Sequence, residues 1–271
     1  MTKTNAGNFF EDFKVGQVLR HATPRTVSEG DTALYQALFG SRFALQSSAE
    51  VARKAGYATA PVDDLLAFHI VFGKTVPDIS LNAVANLGYA DCKFLKPVFP
   101  GDTLATESKV IGLKENSNGE TGTVYVRSTG RNQRGETVID YVRWVMVRKR
   151  DKAARAPEAD VPHLPAIVDP SHLAVPAKTS FKGFDTVASG SPHFWDDYEV
   201  GERIDHVDGV TIEEAEHMMA TRLYQNTAKV HFNQFTEGKG RFGRRLIYGG
   251  HVISLARSLS FNGLGNALTI A

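Results

Sequence analysis

His231 and Asn226 stand five residues apart in the segment Tyr224-Gln225-Asn226-Thr227-Ala228-Lys229-Val230-His231-Phe232. An imidazole takes up and releases a proton near neutral pH, which makes His231 a candidate general acid or base. Further along, Tyr248-Gly249-Gly250-His251 opens a stretch of helical periodicity. Glycines at a helix start let a carbonyl oxygen approach bare N–H groups at the positive end of the helix. A proton-transferring group at one end and fixed donors for an oxygen at the other suit an acyl thioester whose α-carbon becomes an enolate. Arg244 and Arg245 shortly precede that helix start, and a guanidinium fork matches a carboxylate or phosphate. Tyr224 is a further candidate for substrate contact. Each has a structural alternative: a hydrogen-bonded His231, a turn-capping Asn226, a packed Tyr224, a solvated arginine.

The elements that must position these residues occur twice. Phe9–Glu29 aligns without gaps on Phe194–Glu214 at an offset of 185, with seven identities in 21 positions. The aromatic spacing is kept as well, so two copies of one structural unit are expected. Thr26-x-x-Glu29 and Thr211-x-x-Glu214 predict a capping box at the start of a short helix in each copy. In the second copy Ala215, Met218, Met219 and Leu223 then predict one apolar face. A longer helix follows in each: Leu65, Phe68, His69 and Phe72 share a face near 62–73, as Val252, Leu255, Ala256 and Leu259 do near 248–260. After the first long helix the period shortens toward two. Segments near 85–95, 103–112, 120–130 and 136–148 read as strands, separated by Pro100-Gly101-Asp102, Asn116–Gly119 and Asn132–Gly135. The first copy is therefore a helix followed by a mostly antiparallel sheet able to wrap it. Residues 1–150 are expected to form this unit, 151–192 a proline-rich extended linker, and 193–271 a second unit carrying the site. By the same offset Ala271 corresponds to Asn86, so the second unit is expected to be truncated before its sheet. The offset also pairs Ser41 with Asn226 and Gln46 with His231, leaving the first copy without proton-transferring residues.

The chain has 271 residues, 42% of them hydrophobic, enough for a substantial core. Thirty-one Lys and Arg against thirty Asp and Glu give a net charge of +1, which supplies no general field for nucleic acid or an acidic membrane surface. No secretory signal is visible and no apolar run of about 20 residues occurs that could span a bilayer. A lone cysteine, Cys92, excludes an intrachain disulfide and a cysteine-based zinc cluster. A soluble cytoplasmic protein is the expectation.

The His231 segment, the Tyr248-Gly249 helix opening and the strand-turn-strand run Phe94–Asp102 together resemble the MaoC-like, or R-specific enoyl-CoA hydratase, family. That family places an Asp five residues before a catalytic His, on a loop after a short helix. His231 takes the His position and Asn226 the Asp position, where an amide replaces the carboxylate. The resemblance implies an α+β tandem double hotdog fold, with one unit retaining chemistry and the other shaping the coenzyme A site. It implies reversible hydration of an acyl-CoA substrate, with His231 and Asn226 catalytic, Gly249 and Gly250 facing the thioester oxygen, and Tyr224, Arg244 and Arg245 binding substrate. Neither metal nor redox cofactor is required, and a homodimer stays open. A narrower likeness over Tyr224–Phe232 and Arg241–Val252 implies an acyl group with a second carboxylate, for which Arg245 is the favoured partner. An acyl-carrier-protein substrate and a non-catalytic acyl-CoA-binding subunit are the alternatives.

Overall fold

The computed structural model describes residues 3–240 and 242–271; Arg241, the first residue of the second likeness segment, lies outside them. Alternating side chains build the sheet. In β6 (Thr137–Arg148), Ile139, Tyr141, Arg143, Val145 and Val147 all point to one buried face. β3 (Ala83–Phe94), β4 (Thr103–Glu115) and β5 (Thr121–Arg131) match the expected strand segments to within a few residues. With β1 (Val18–Arg20) they run in the order β1-β4-β5-β6-β3, and β2 (Arg25–Thr26) pairs with β4; every pairing is antiparallel.

Short helices α1 (Glu29–Phe39), α2 (Ala44–Ser47) and α3 (Ala49–Lys54) lead into α4 (Asp64–Thr75). Asp63 caps α4 by accepting from the Leu65 N–H at 2.9 Å. Leu65 through Thr75 are all buried, so α4 is covered on every side rather than along one stripe. It packs across β4 and β5. Side chains such as Leu66, Ile70 and Val71 each contribute about 1.5–3 kcal/mol by leaving water. A central helix wrapped by an antiparallel sheet is an α+β, hotdog-like fold.

Beyond the irregular connector, which holds α5 (Thr186–Ser189), the second copy contains α6 (Glu214–Leu223), α7 (Gln234–Glu237), α8 (Gly249–Leu259) and α9 (Phe261–Leu264). Local detail recurs at the offset of 185. The Phe9 N–H donates to Asp12 at 2.9 Å, and the Phe194 N–H donates to Asp197 at 2.8 Å. No helix of the described residues is long and apolar enough to cross a membrane.

Two expectations need correction. Neither capping box forms as predicted. Thr26 lies in β2, its hydroxyl bonded to that of Thr103, and α1 is capped instead by Ser28 with Asp31 closing the box. The N-cap of α6 is Glu213, with no side-chain cap bond. The apolar faces predicted for the second copy are also rotated. In α6 the buried residues are His217, Ala220, Thr221 and Leu223; in α8 they are Gly250, His251, Ser254 and Leu255. Val252 is 47% exposed and Met219 48%. Polar side chains that bond one another have taken the inward positions.

Candidate functional site

The chain after α6 turns sharply. Gln225 adopts a left-handed conformation (φ 52°), and the Asn226 N–H folds back to the Thr221 carbonyl at 3.1 Å. The Asn226 side-chain oxygen then accepts from the Ala228 N–H at 3.0 Å, the turn-capping role open to asparagine. Its Nδ2, on a side chain only 4% exposed, has no acceptor. A tight turn at Lys229–His231 follows, and the returning chain pairs the Leu246 N–H with the Val230 carbonyl at 2.9 Å.

This pairing orients His231. Its Nδ1 lies 2.9 Å from the Leu246 carbonyl, an oxygen that can only accept, so the proton sits on Nδ1 and the Nε2 lone pair is left for chemistry. Tyr248, the N-cap residue of α8, donates its N–H to Nε2 of His217 at 2.7 Å. The Tyr248 ring stands 5.4 Å from that of His231 and 5.5 Å from those of His69 and Phe72.

These residues border a cavity of about 430 Å³ whose walls come from residues before and after the connector. Phe72, Ser80, Asn86, Tyr89 and Arg143 line one side; Asn226, His231, Leu246, Tyr248 and Gly249 line the other. The two expected oxyanion glycines divide. Gly249 borders the cavity, and nothing lies within 4 Å of where its Cβ would be. Gly250 is packed: a Cβ there would sit 2.3 Å from the Tyr248 ring and 2.5 Å from that of His69. Tyr224 does not border the cavity; it is buried with its ring 4.6 Å from that of His69. Arg244 and Arg245 both pair with Glu214, at 3.0 and 2.6 Å, and neither borders the cavity. Gln46, the counterpart of His231, lines a different pocket beside Tyr57 and Lys96. Cys92 is partly buried, and burial pushes its thiol up to about 12, so it carries no thiolate at neutral pH.

Sequence reading missed two contributors, Arg143 and His217. Arg143 shares the parity of Ile139, Tyr141, Val145 and Val147 in β6, a signal of a charge turned inward that the strand segment already carried. His217 sat opposite the apolar residues used to set the α6 face.

Burial keeps these imidazoles neutral. His217 is pushed down to about 4 by desolvation, with His231 and His251 adding to the effect; His69 falls to about 3 for the same first cause. His231 and His251 are also lowered by burial. In the unfolded chain each histidine titrates near 6.5. Their contribution to stability is complete above about pH 6.5 and is lost as the pH falls toward the folded values, because the unfolded chain then binds more protons. The melting temperature is expected to drop steadily between pH 6.5 and 4. Asp63 and Asp64, raised by burial, oppose this slope, so the comparison is made against the same profile in Asp64→Asn; a flat or rising profile there would contradict neutral burial of the cluster.

Comparison with known proteins agrees with this architecture. A family model described as mesaconyl-CoA hydratase matches residues 1–260. A β-methylmalyl-CoA dehydratase of Chloroflexus aurantiacus is 66% identical over 269 residues, covering 99% of this chain and 76% of that protein. A crystal structure of a MaoC domain protein dehydratase from Chloroflexus aurantiacus superposes with a TM-score of 0.97 at 66% identity, covering 100% of this chain and 77% of the other. A conserved Mycobacterium tuberculosis protein described as having a double hotdog fold matches at TM-score 0.72 and 25% identity, over 96% of this chain and 78% of the other. With the match spanning nearly its whole length, the chain belongs to the mesaconyl-CoA hydratase family of MaoC-like hydratases and dehydratases.

Proposed function

We propose that this protein interconverts mesaconyl-CoA and β-methylmalyl-CoA, with His231 as the proton-transferring residue. It is a hydratase/dehydratase of enoyl-CoA thioesters by family. The observation that carries the residue assignment is the cavity-facing His231, whose Nδ1–H is held by Leu246 and whose Nε2 is free to accept. In hydration, Nε2 takes a proton from water as the water oxygen bonds to the β-carbon. The double-bond electrons move toward the carbonyl, and the charge collected on the thioester oxygen meets the N–H of Gly249 at the positive end of α8. The imidazolium then returns the proton to the α-carbon, so one water is added and the residue is restored. Dehydration is the reverse. Asn226 cannot act as a carboxylate base; its unpaired Nδ2 is a donor available to the water or to the thioester.

The tandem arrangement is part of the same proposal. Residues 1–150 and 193–271 are two hotdog units joined by 151–192, with α8 as the central helix of the second. The recurrence of local structure at the offset of 185 supports this reading. The direct test follows the enoyl-thioester absorbance of mesaconyl-CoA, crotonyl-CoA and a longer enoyl-CoA on adding the protein. Fastest loss with mesaconyl-CoA is expected; no change with any of the three would overturn the assignment.

A further inference from the structure

Arg143 is the largest fully buried side chain among the described residues, at 0% exposure. A buried cation is costly unless paired, and several arginines of the fold have carboxylate partners even where they are more exposed. Arg127, on the neighbouring strand, binds Asp91 and Asp140; Arg134 binds Asp102 and Glu136; Arg25 binds Asp31. Arg143 binds only neutral oxygens: Thr75 Oγ1 at 2.9 Å, Ser80 Oγ at 2.8 Å and Asn86 Oδ1 at 3.3 Å. Its guanidinium carbon lies 4.6 Å from the centre of the Phe72 ring, which fixes it from one face. Its Nε–H is buried without an acceptor. No carboxylate among the described residues forms an ion pair with it; the titratable groups that act on it include the phenols of Tyr141, Tyr89 and Tyr248 and the imidazole of His21, whose own carboxylate partner is Asp78.

The location gives this missing anion a meaning. Arg143 borders the same cavity as His231, Asn226 and Gly249. Phe72 and Tyr248, whose rings stand 5.5 Å apart, bridge the guanidinium and the imidazole. A ligand with its thioester at Gly249 and its double bond beside His231 would extend its far end along these rings. We infer that Arg143 is a specificity-determining residue that receives the free carboxylate of a dicarboxylic acyl thioester, supplying the counter-anion that the fold withholds. The inference rests on the hydratase reading and moves the carboxylate partner from Arg245, which Glu214 already occupies. It also adds a chemical consequence. A carboxylate beyond the double bond repels an incoming hydroxyl, and its neutralisation by Arg143 removes that repulsion, so selectivity appears in the rate as well as in binding.

The test uses two saturated thioesters that cannot be hydrated, succinyl-CoA, which carries the extra carboxylate, and butyryl-CoA, which lacks it. Calorimetric titration of the wild-type chain is expected to show succinyl-CoA binding about 100-fold more tightly, the scale for a desolvated charge pair. Arg143→Met should bring the two to near parity by weakening succinyl-CoA alone, and Arg143→Lys should retain part of the preference. Equal binding of both thioesters by the wild type overturns the inference without any variant, even if Arg143→Met does not fold. An equal loss for both in a folded Arg143→Met overturns it too, assigning the guanidinium to the shared coenzyme moiety. Mesaconyl-CoA hydration by the wild type with an undiminished rate in Arg143→Met has the same consequence and leaves the hydratase reading intact. An Arg143-dependent preference for succinyl-CoA without hydration of any enoyl-CoA supports the inference while removing that reading.

Discussion

His231→Ala is expected to lower kcat for thioester hydration by about a thousandfold, the usual scale for removing a positioned proton carrier. The substitution deletes the Nε2 lone pair and one hydrogen bond to the Leu246 carbonyl. Because His231 sits at the cavity wall rather than in the central core, the folded state should survive with a melting temperature only a few degrees lower. Gln46→Ala is the matched control. It alters the position 185 residues earlier, in a pocket that holds neither Gly249 nor Asn226. Steady-state kinetics of both variants, with circular dichroism to verify folding, separate the two roles. Comparable losses of kcat in the two would end the assignment of chemistry to the second copy alone.

Gly73→Ala should damage the site from outside it. Gly73 lies inside α4, where a glycine is ordinarily unfavourable, yet here the helix touches the loop after α6 through its bare Cα. A methyl group at this position would sit 2.1 Å from the Tyr224 carbonyl oxygen and 3.3 Å from the Asn226 nitrogen. The obstacle is backbone, so no side-chain rotation relieves it. The loop must move or α4 must shift within the sheet. Overpacking of this kind costs about 1–3 kcal/mol, and a displacement near 1 Å of a positioned group costs about a hundredfold in rate. Lower thermal stability together with a fall in kcat is therefore expected. An active, fully stable Gly73→Ala would mean that the loop is not templated by α4.

Much of this fold was legible because its first half follows binary patterning. The four long strands, their turns and the central helix come from apolar alternation and Gly-containing breaks, and these were read within a few residues of where they lie. The second half departs from patterning around the candidate site. Reading Met218 and Met219 as inward assumes that burial follows hydrophobicity. His217 and Thr221 are inward instead because each has a partner: Thr221 Oγ1 bonds the His217 carbonyl at 2.9 Å, and His217 accepts from Tyr248. Ser254 is buried by the same logic, between the hydroxyl of Tyr35 and Nε2 of His69, both at 2.9 Å. Such networks join residues far apart in the chain, and spacing within one segment cannot reveal them. Tyr224, Arg244 and Arg245 are near His231 and Gly249 in sequence only. Structure separates them from the cavity because one is sealed in the core and two are turned toward Glu214.

The two-walled cavity has a consequence for how such proteins diversify. Its imidazole is encoded late in the chain and its guanidinium early, on opposite sides of a long proline-containing connector. With the roles proposed for His231 and Arg143, a recombination within residues 151–192 would reassort two heritable traits, the proton carrier travelling with the late segment and the carboxylate partner with the early one. Drift in β6 alone would retune substrate choice without touching the proton carrier.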